Sequence, residues 1–139
     1  MAFMITEVEA YDGPEDKACH AHRGKTERNA VMFGPAGVWC VYFCYGMHWM
    51  LNIVTGSVGY PAAVLIRGVE GFSGPGILTK HLHIDKRLTN KRADRSAGLW
   101  IENRGLVIPK ERILRTRRVG VAYAGAWSRK PYRFILSKI

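Results

Sequence analysis

Residues 38–54 read VWCVYFCYGMHWMLNIV, a run rich in aromatic and β-branched side chains. Two structures compete for it. A membrane-spanning helix needs roughly 17–25 apolar residues, and this run of 17 is interrupted by glycine, histidine and asparagine. A β-hairpin bending near Gly46 suits its Val, Tyr, Phe, Trp and Ile content. We predict the hairpin, with Trp39 and Phe43 in the core of the sheet.

Shorter patterns on either side predict the remaining elements. Residues 29–66 hold no Asp, Glu, Lys or Arg, which makes them the core-forming part of the chain. The predicted elements are a buried strand at 61–70, a turn and short helix at 72–84 with Pro75 in the first turn, a polar loop at 86–98, and strands at 99–105, 113–123 and 131–136. With an opening strand from residue 5, these predict one α+β domain over residues 1–139, built on a curved, mostly antiparallel sheet with a protruding β-hairpin and short helices.

The charge is distributed unevenly along the chain. The formal net charge is +10, yet residues 1–70 hold five Lys/Arg and seven Asp/Glu, a balance of −2, whereas residues 71–139 hold sixteen and four, a balance of +12. A basic half of this size favours an anionic partner, either nucleic acid or an anionic membrane. Residues 115–134 interleave cations with aromatic side chains, which suits phosphate contacts along a groove or a solvated strand pair. We predict nucleic acid as the partner.

The three cysteines, Cys19, Cys40 and Cys44, form no disulfide framework, so we expect reduced thiols and a cytoplasmic, nucleoid-associated location. The first residues lack the basic start of a signal peptide. Cys19, His20 and His22 suggest zinc, with Cys40 and Cys44 as further ligands, but their spacing matches no structural zinc site. We therefore expect neither a metal nor a cofactor.

The opening stretch ITEVEAYDGPED (5–16) holds five carboxylates and no cation. In a strand, Glu9 shares a face with Glu7 and Tyr11, and a carboxylate beside an aromatic ring in a cleft is a candidate general base. The alternative is an exposed strand with solvated carboxylates. The acids of residues 12–16 are predicted to begin a helix, because acids favour a helix N-terminus.

Two further motifs suit a nucleic-acid partner. Bulky side chains crowd around the hairpin bend, namely Tyr42, Tyr45, Met47, His48 and Trp49. A rigid tip of this kind can wedge between base steps; aromatic packing within the sheet is the alternative. The GPG motif at residues 74–76 offers backbone amides at a helix start to a phosphate, and an ordinary turn explains it equally well.

Six stretches follow one another along the chain: EVEAYDGPEDKACHAHRGKTERNAVMFGPAG, VYFCYGMHWMLNIVTG, AVLIRGVEG, SGPGILTKHLHID, LWIE and RRVGVAYAGAWSRKPYRF. Together they resemble the alkyladenine (3-methyladenine) DNA glycosylase family, in a shortened bacterial-type form. The resemblance implies a monofunctional base-excision repair enzyme that removes alkylated and deaminated purines from double-stranded DNA. It also implies that the protein is a monomer and that the product is an abasic site. No metal, cofactor or membrane partner is expected.

The resemblance assigns three residues to the chemical step. Glu9 would be the general base that activates the attacking water. Arg67 and the backbone carbonyl of Val119 would help to hold that water. No lysine stands in a pocket motif, so we expect no Schiff-base intermediate and no strand cleavage.

Five more residues would bind the base and the duplex by the same resemblance. Tyr11, His20 and Tyr42 would line the pocket and stack on the extracted base, with the main chain at His20 reading its edge. Tyr45 would fill the gap left in the duplex. Asn52 would crowd out the exocyclic amine of normal guanine.

The chain departs from the family pattern at several points. Ile77 stands where lysine is usual after GPG, and Tyr123 where histidine is usual. The chain begins almost at the predicted catalytic strand, and after residue 71 it passes directly to FSGPG, where family members usually carry a further helical stretch. A non-catalytic DNA-binding module and a membrane-surface protein are the rival interpretations.

Overall fold

The computed structural model describes residues 1–44 and 48–138. Its strands are β1 (Ile5–Asp12), β2 (Trp39–Cys44), β3 (His48–Val54), β4 (Ala62–Val69), β5 (Phe72–Ser73), β6 (Ile113–Thr116) and β7 (Arg133–Leu136). They form one antiparallel sheet in the order β2-β3-β4-β1-β7-β6, with β5 pairing the end of β4. The predicted α+β class and the mostly antiparallel sheet are confirmed.

Helical structure is short. The α-helix α1 (Pro75–His81) begins with its proline in the first turn, as predicted, because a proline there loses no helical hydrogen bond. The 3₁₀ segments are Ala30–Phe33, Lys86–Leu88, Arg95–Ala97, Lys110–Arg112 and Ala122–Arg129. None of the helices in the described parts of the chain is both long and apolar enough to cross a membrane.

The apolar stretch 38–54 supplies two strands of the sheet. β2 and β3 pair antiparallel from Trp39 with Ile53 to Cys44 with His48. The bend between them lies outside the described residues. The strands read as nearly continuous apolar sequence because both faces of the sheet are covered.

Two core clusters cover those two faces. On one face Cys40 and Tyr42 pack with Met32 and Ala63. Trp39 and Val41, which alternate with Cys40 and Tyr42 along β2, lie on the other face and pack against α1 and the loop after it. This second cluster also contains Leu51, Ile66, Val69, Leu78 and Ile84. The Trp39 indole N–H also donates to the carbonyl of Leu99 at 3.0 Å, which ties that loop to the sheet.

Three predictions about strands are corrected. Residues 99–105 form no strand, since Trp100 and Arg104 both donate to the Glu102 carboxylate and no described strand pairs with their backbone. The strand predicted over 113–123 ends at Thr116, because the chain then turns Arg118 into the interior. Phe43 is 39% exposed rather than part of the core.

The acids at residues 12–16 begin no helix. The segment forms consecutive turns, in which the Asp16 carboxylate accepts from the backbone N–H groups of Asp12 and Ala18 at 2.9 and 3.0 Å. A short acidic side chain that binds nearby backbone donors favours turns over a helix. The prediction was wrong because Asp16 points inward, where it is fully buried.

Candidate active site

Strand register gathers the site residues on one face of the sheet. Residues paired directly across antiparallel strands point to the same face. Asn52 of β3 pairs with Leu65 of β4, and Leu65 pairs with Glu9 of β1. Two residues further along β1, Tyr11 pairs with Ala63. Side chains far apart in sequence are thus placed side by side.

Glu9 occupies the centre of this face and is fully buried, with 0% of its surface exposed. Its Oε1 accepts a hydrogen bond from the Tyr11 hydroxyl at 2.9 Å, and its Oε2 accepts one from the Val119 backbone N–H at 2.7 Å. The nearest cation is Arg67, whose terminal nitrogen lies 3.8 Å from Oε1. A buried carboxylate requires hydrogen-bond partners, and here the two direct donors are neutral groups.

Tyr11 is held as a donor by its surroundings. Burial raises the pKa of its phenol, and the adjacent Glu9 carboxylate raises it further. The hydroxyl therefore stays protonated and keeps its proton directed at Glu9. The Tyr11 ring at the same time contacts the Arg118 guanidinium, whose central carbon lies 4.9 Å from the ring centre.

A cavity of about 240 Å³ opens beside Glu9. The residues around it come from β1 to β4, the turns after β1, the start of α1, the loop after β6 and the 3₁₀ segments Ala30–Phe33 and Ala122–Arg129: Glu9, Tyr11, Ala18, His20, Met32, Tyr42, Cys44, Met50, Asn52, Ala63, Leu65, Arg67, Pro75, Val119, Gly120, Val121 and Tyr123. Seven of the eight site residues predicted from the sequence are among them. The eighth, Tyr45, lies outside the described residues.

One wall of the cavity is a pair of stacked rings. The His20 and Tyr42 rings lie 4.7 Å apart and within 16° of parallel. His20 keeps contact with solvent, yet partial burial of the ring lowers its pKa and the nearby Arg28 charge lowers it further. The ring is therefore neutral near pH 7, which makes it a flat stacking surface rather than a cation.

Asn52 is a nearly buried polar residue of the cavity lining. Its side chain is 7% exposed, and its amide donates to the Met50 carbonyl at 3.2 Å. That bond fixes the amide, so a ligand entering the cavity meets a side chain with little freedom to move.

Sequence reasoning missed a buried ion pair behind the site. Asp16 and Arg118 are both fully buried, and two hydrogen bonds of 2.6 and 2.9 Å join them. The Arg118 guanidinium also donates to the carbonyls of Ala10 and Trp127. The pair therefore links β1 and the turns carrying His20 to the loop carrying Val119. No local pattern distinguishes Asp16 from its acidic neighbours, since its partner lies 102 positions away.

The cations of residues 115–134 do not share one environment. Arg118 is buried with Asp16, and Arg133 donates to Glu7 at 2.8 Å. The charges of these two side chains are therefore paired with carboxylates of the opening stretch. Arg115 lies over the Phe134 ring, and Lys130 over the Trp127 ring.

The residues considered as zinc ligands are not gathered. Across residues 1–44 and 48–138, no three His, Cys, Asp or Glu side chains are placed to hold a metal ion. Cys19 donates to the Pro61 carbonyl at 3.7 Å, and a ring nitrogen of His22 lies 3.0 Å from the Pro14 carbonyl. Burial raises the pKa of the Cys40 thiol to about 11, which disfavours the thiolate that zinc requires.

Comparison with known proteins gives one consistent result. A family profile described as methylpurine-DNA glycosylase (MPG) matches residues 1–73 and 70–138, two segments that meet between β4 and α1. Among curated relatives, a protein of Anaeromyxobacter sp. (strain Fw109-5) is 46% identical over 97% of this chain and 72% of its own length. A Myxococcus xanthus (strain DK1622) protein is 44% identical over 93% and 70%, and a Methanocella arvoryzae protein 41% over 96% and 76%. All three carry the name "Putative 3-methyladenine DNA glycosylase".

Proposed function

The chain belongs to the methylpurine-DNA glycosylase (MPG) family, and from that premise we propose that it excises alkylated or deaminated purines, of the 3-methyladenine and hypoxanthine class, from duplex DNA. One observation carries the proposal: the fully buried Glu9 carboxylate faces a cavity with a stacked aromatic wall. The family implies DNA as the partner, and the +12 balance of residues 71–139 supplies attraction for its phosphates.

Base flipping precedes the chemistry. The glycosidic bond of a stacked purine cannot reach a buried carboxylate, so the nucleotide must leave the helix at a cost of a few kcal/mol, which is smallest for damaged pairs. By the family resemblance Tyr45 fills the resulting gap. In the cavity the extruded base stacks on Tyr11 from one side and on the His20–Tyr42 pair from the other.

Water is the nucleophile of the reaction. It forms a bond to the sugar C1′, the C1′–N bond breaks, and its electron pair leaves with the purine. Glu9 accepts the proton that the water loses, while Arg67 and the Val119 carbonyl hold the water. The Glu9 carboxylate also stabilises the positive charge that develops on the sugar.

Selection rests on charge and shape. A cationic purine such as 3-methyladenine leaves as a neutral base, so it needs no proton donor. Its positive charge also favours contact with aromatic faces. Asn52 occupies space that the exocyclic amine of guanine would need. The described lining of the cavity contains no lysine, and we therefore propose a product with an intact strand and an abasic site.

Excision by the wild-type chain and by two charge-matched variants tests the proposal. Glu9→Gln removes the proposed general base, and Glu15→Gln removes an exposed acid of the same opening stretch. Release of hypoxanthine and of 3-methyladenine from a duplex is measured in single turnover with protein in excess. We expect Glu15→Gln to match the wild type and Glu9→Gln to fall by about 10²–10⁴-fold.

Each other outcome has a definite meaning. Lesion binding without excision by the wild type would identify a non-catalytic DNA-binding module and end the enzymatic proposal. Undiminished excision by Glu9→Gln would remove Glu9 from its role. Cleavage of the strand at the abasic site would contradict a mechanism that uses water alone.

A further inference from the structure

Arg67 occupies an irregular position in the sheet. In the pairing of β1 with β4, Glu7 lies opposite Gly68 and Val8 lies opposite Ile66, so Arg67 has no partner across the strand. The bulge leaves Arg67 on the cavity face, two residues along β4 from Leu65. Its guanidinium lies between two carboxylates of β1, those of Glu7 and Glu9.

The two carboxylates hold Arg67 unequally. Its Nε donates to Glu7 Oε2 at 2.9 Å, whereas its terminal nitrogen stays 3.8 Å from Glu9 Oε1, beyond hydrogen-bond distance. The same Glu7 oxygen also accepts from Arg133 Nε at 2.8 Å. Although burial opposes the charge of Glu7, the hydrogen bonds from Arg133 and Arg67 outweigh it and lower its pKa. Glu7 is thus a fixed anion near neutral pH.

This arrangement affects the strength of Glu9 as a general base. A carboxylate in a direct hydrogen-bonded pair with a guanidinium is stabilised as an anion and is a weaker proton acceptor. Glu9 instead has neutral direct donors, Tyr11 and the Val119 N–H. Because Arg67 stays 3.8 Å away, Glu9 keeps more of the proton affinity that a general base needs than it would in a direct ion pair.

We propose that Glu7 is a positioning residue that holds Arg67 by its Nε and keeps it out of a hydrogen-bonded ion pair with Glu9. The inference rests on the function proposed above, in which Glu9 accepts a proton from water. Without the Glu7 charge, the only carboxylate left in contact with Arg67 in the described structure is Glu9. The guanidinium then closes the remaining gap and occupies the side of Glu9 that the water needs.

Glu7→Gln tests this with little change in shape. We expect its crystal structure to show an Arg67 nitrogen within about 2.7–2.9 Å of Glu9, the distance of a charge-assisted hydrogen bond. In single-turnover excision we expect a rate constant lower by about tenfold or more, because a Glu9 that is hydrogen-bonded to Arg67 accepts a proton less readily and loses part of the rate acceleration of a general base. The dissociation constant for a lesion duplex should stay unchanged.

Two further variants separate positioning from general damage to the fold. Arg133→Met removes the other partner of the same Glu7 oxygen but leaves the bond to Arg67, so its rate constant should stay within about threefold of the wild type. In an Arg67→Met background Glu7→Gln should have no further effect, because it acts through Arg67. A purely structural role of Glu7 would produce the same loss in either background.

The inference and the proposed function fail in different ways. An unmoved Arg67 in the Glu7→Gln crystal structure overturns the positioning role, whether or not the wild type excises bases. An equal loss in the Arg67→Met background, or a weaker lesion affinity with an unchanged rate constant, overturns it as well. If the wild type releases no purine, the proposed function is lost, and the crystal structure of the variant still decides what Glu7 does to Arg67.

Discussion

Replacing Asp16 by asparagine keeps the shape of the side chain but removes the anion from the buried pair with Arg118. Both side chains are fully buried, and hydrogen bonds of 2.6 and 2.9 Å join them. Breaking a buried pair by removing one partner costs about 3–5 kcal/mol, because the other charge stays buried without compensation. Since a domain has roughly 5–15 kcal/mol of stability in all, we expect Asp16→Asn to lose a large share of it.

Four other contacts of Arg118 limit the size of the loss. The Arg118 guanidinium keeps its bonds to the carbonyls of Ala10 and Trp127, and it lies 4.9 and 5.1 Å from the centres of the Tyr11 and Tyr132 rings. Contacts of a cation with aromatic rings contribute about 0.5–2 kcal/mol each. These contacts remain in Asp16→Asn, so the expected cost lies near the lower end of the range.

Urea denaturation measures the effect. The midpoint should fall with little change in the slope, which indicates lost stability rather than a changed unfolded state. Asp85→Asn is the matched control, because Asp85 forms an exposed pair with Arg87 and its loss should leave the midpoint unchanged within error. The double variant Asp16→Asn/Arg118→Met should lose less than the sum of the single variants, because no buried charge is left alone.

The pH dependence gives a second test with a definite sign. Burial opposes the charge of Asp16, but hydrogen bonds from Arg118 and from the backbone of Asp12 and Ala18 outweigh it and lower its pKa. A lowered pKa gives stability that is complete above the unfolded value of about 3.9 and is lost as pH falls through the folded value. The acid dependence of the unfolding free energy should therefore be weaker in Asp16→Asn. Equal midpoints for Asp16→Asn and Asp85→Asn would refute the reasoning.

The remaining predictions concern the cavity. Tyr11→Phe keeps the ring but removes a neutral donor that holds the Glu9 carboxylate in position. A hydrogen bond to a charged group is worth about 1.5–3 kcal/mol, so if positioning is what the bond supplies, single-turnover excision should slow by up to about tenfold to a hundredfold with unchanged lesion affinity. A wild-type rate would show that the hydroxyl is dispensable. The His20 ring should titrate by NMR below its ordinary value of about 6.5, since partial burial and the Arg28 charge both lower its pKa. Arg28→Met should raise that midpoint part of the way, and a midpoint at or above 6.5 in the wild type would contradict the account.

Local periodicity was enough to predict part of the site. Alternation along a strand places Glu9 and Tyr11 on one face, and the structure joins them by a 2.9 Å hydrogen bond. The hairpin followed from the composition of residues 38–54, and α1 from Pro75 after a turn. In each case the signal lies within a few residues of the feature it predicts.

The rest of the site depends on register, which short patterns do not encode. The pairings of Asn52 with Leu65 and of Leu65 with Glu9 result from three strands meeting in one alignment. A shift by one residue would turn each of these side chains to the other face. The bulge at Arg67 also depends on register, because it can be recognised only when the partners of β4 are known.

The ion pairs of the interior explain why so basic a chain opens with acids. Glu7 binds Arg67 and Arg133, and Asp16 binds Arg118, so acids of the opening stretch neutralise cations contributed mainly by the basic half. With Glu9 buried as well, residues 1–70 are left with four acids and four Lys/Arg outside this interior network, in place of their formal balance of −2. The Glu9 charge is thus held beside Arg67, an opposite charge that partly offsets its repulsion of a phosphate backbone. Outside the same network, residues 71–139 keep fourteen Lys/Arg and four Asp/Glu, so the excess positive charge that attracts DNA lies in this half of the chain.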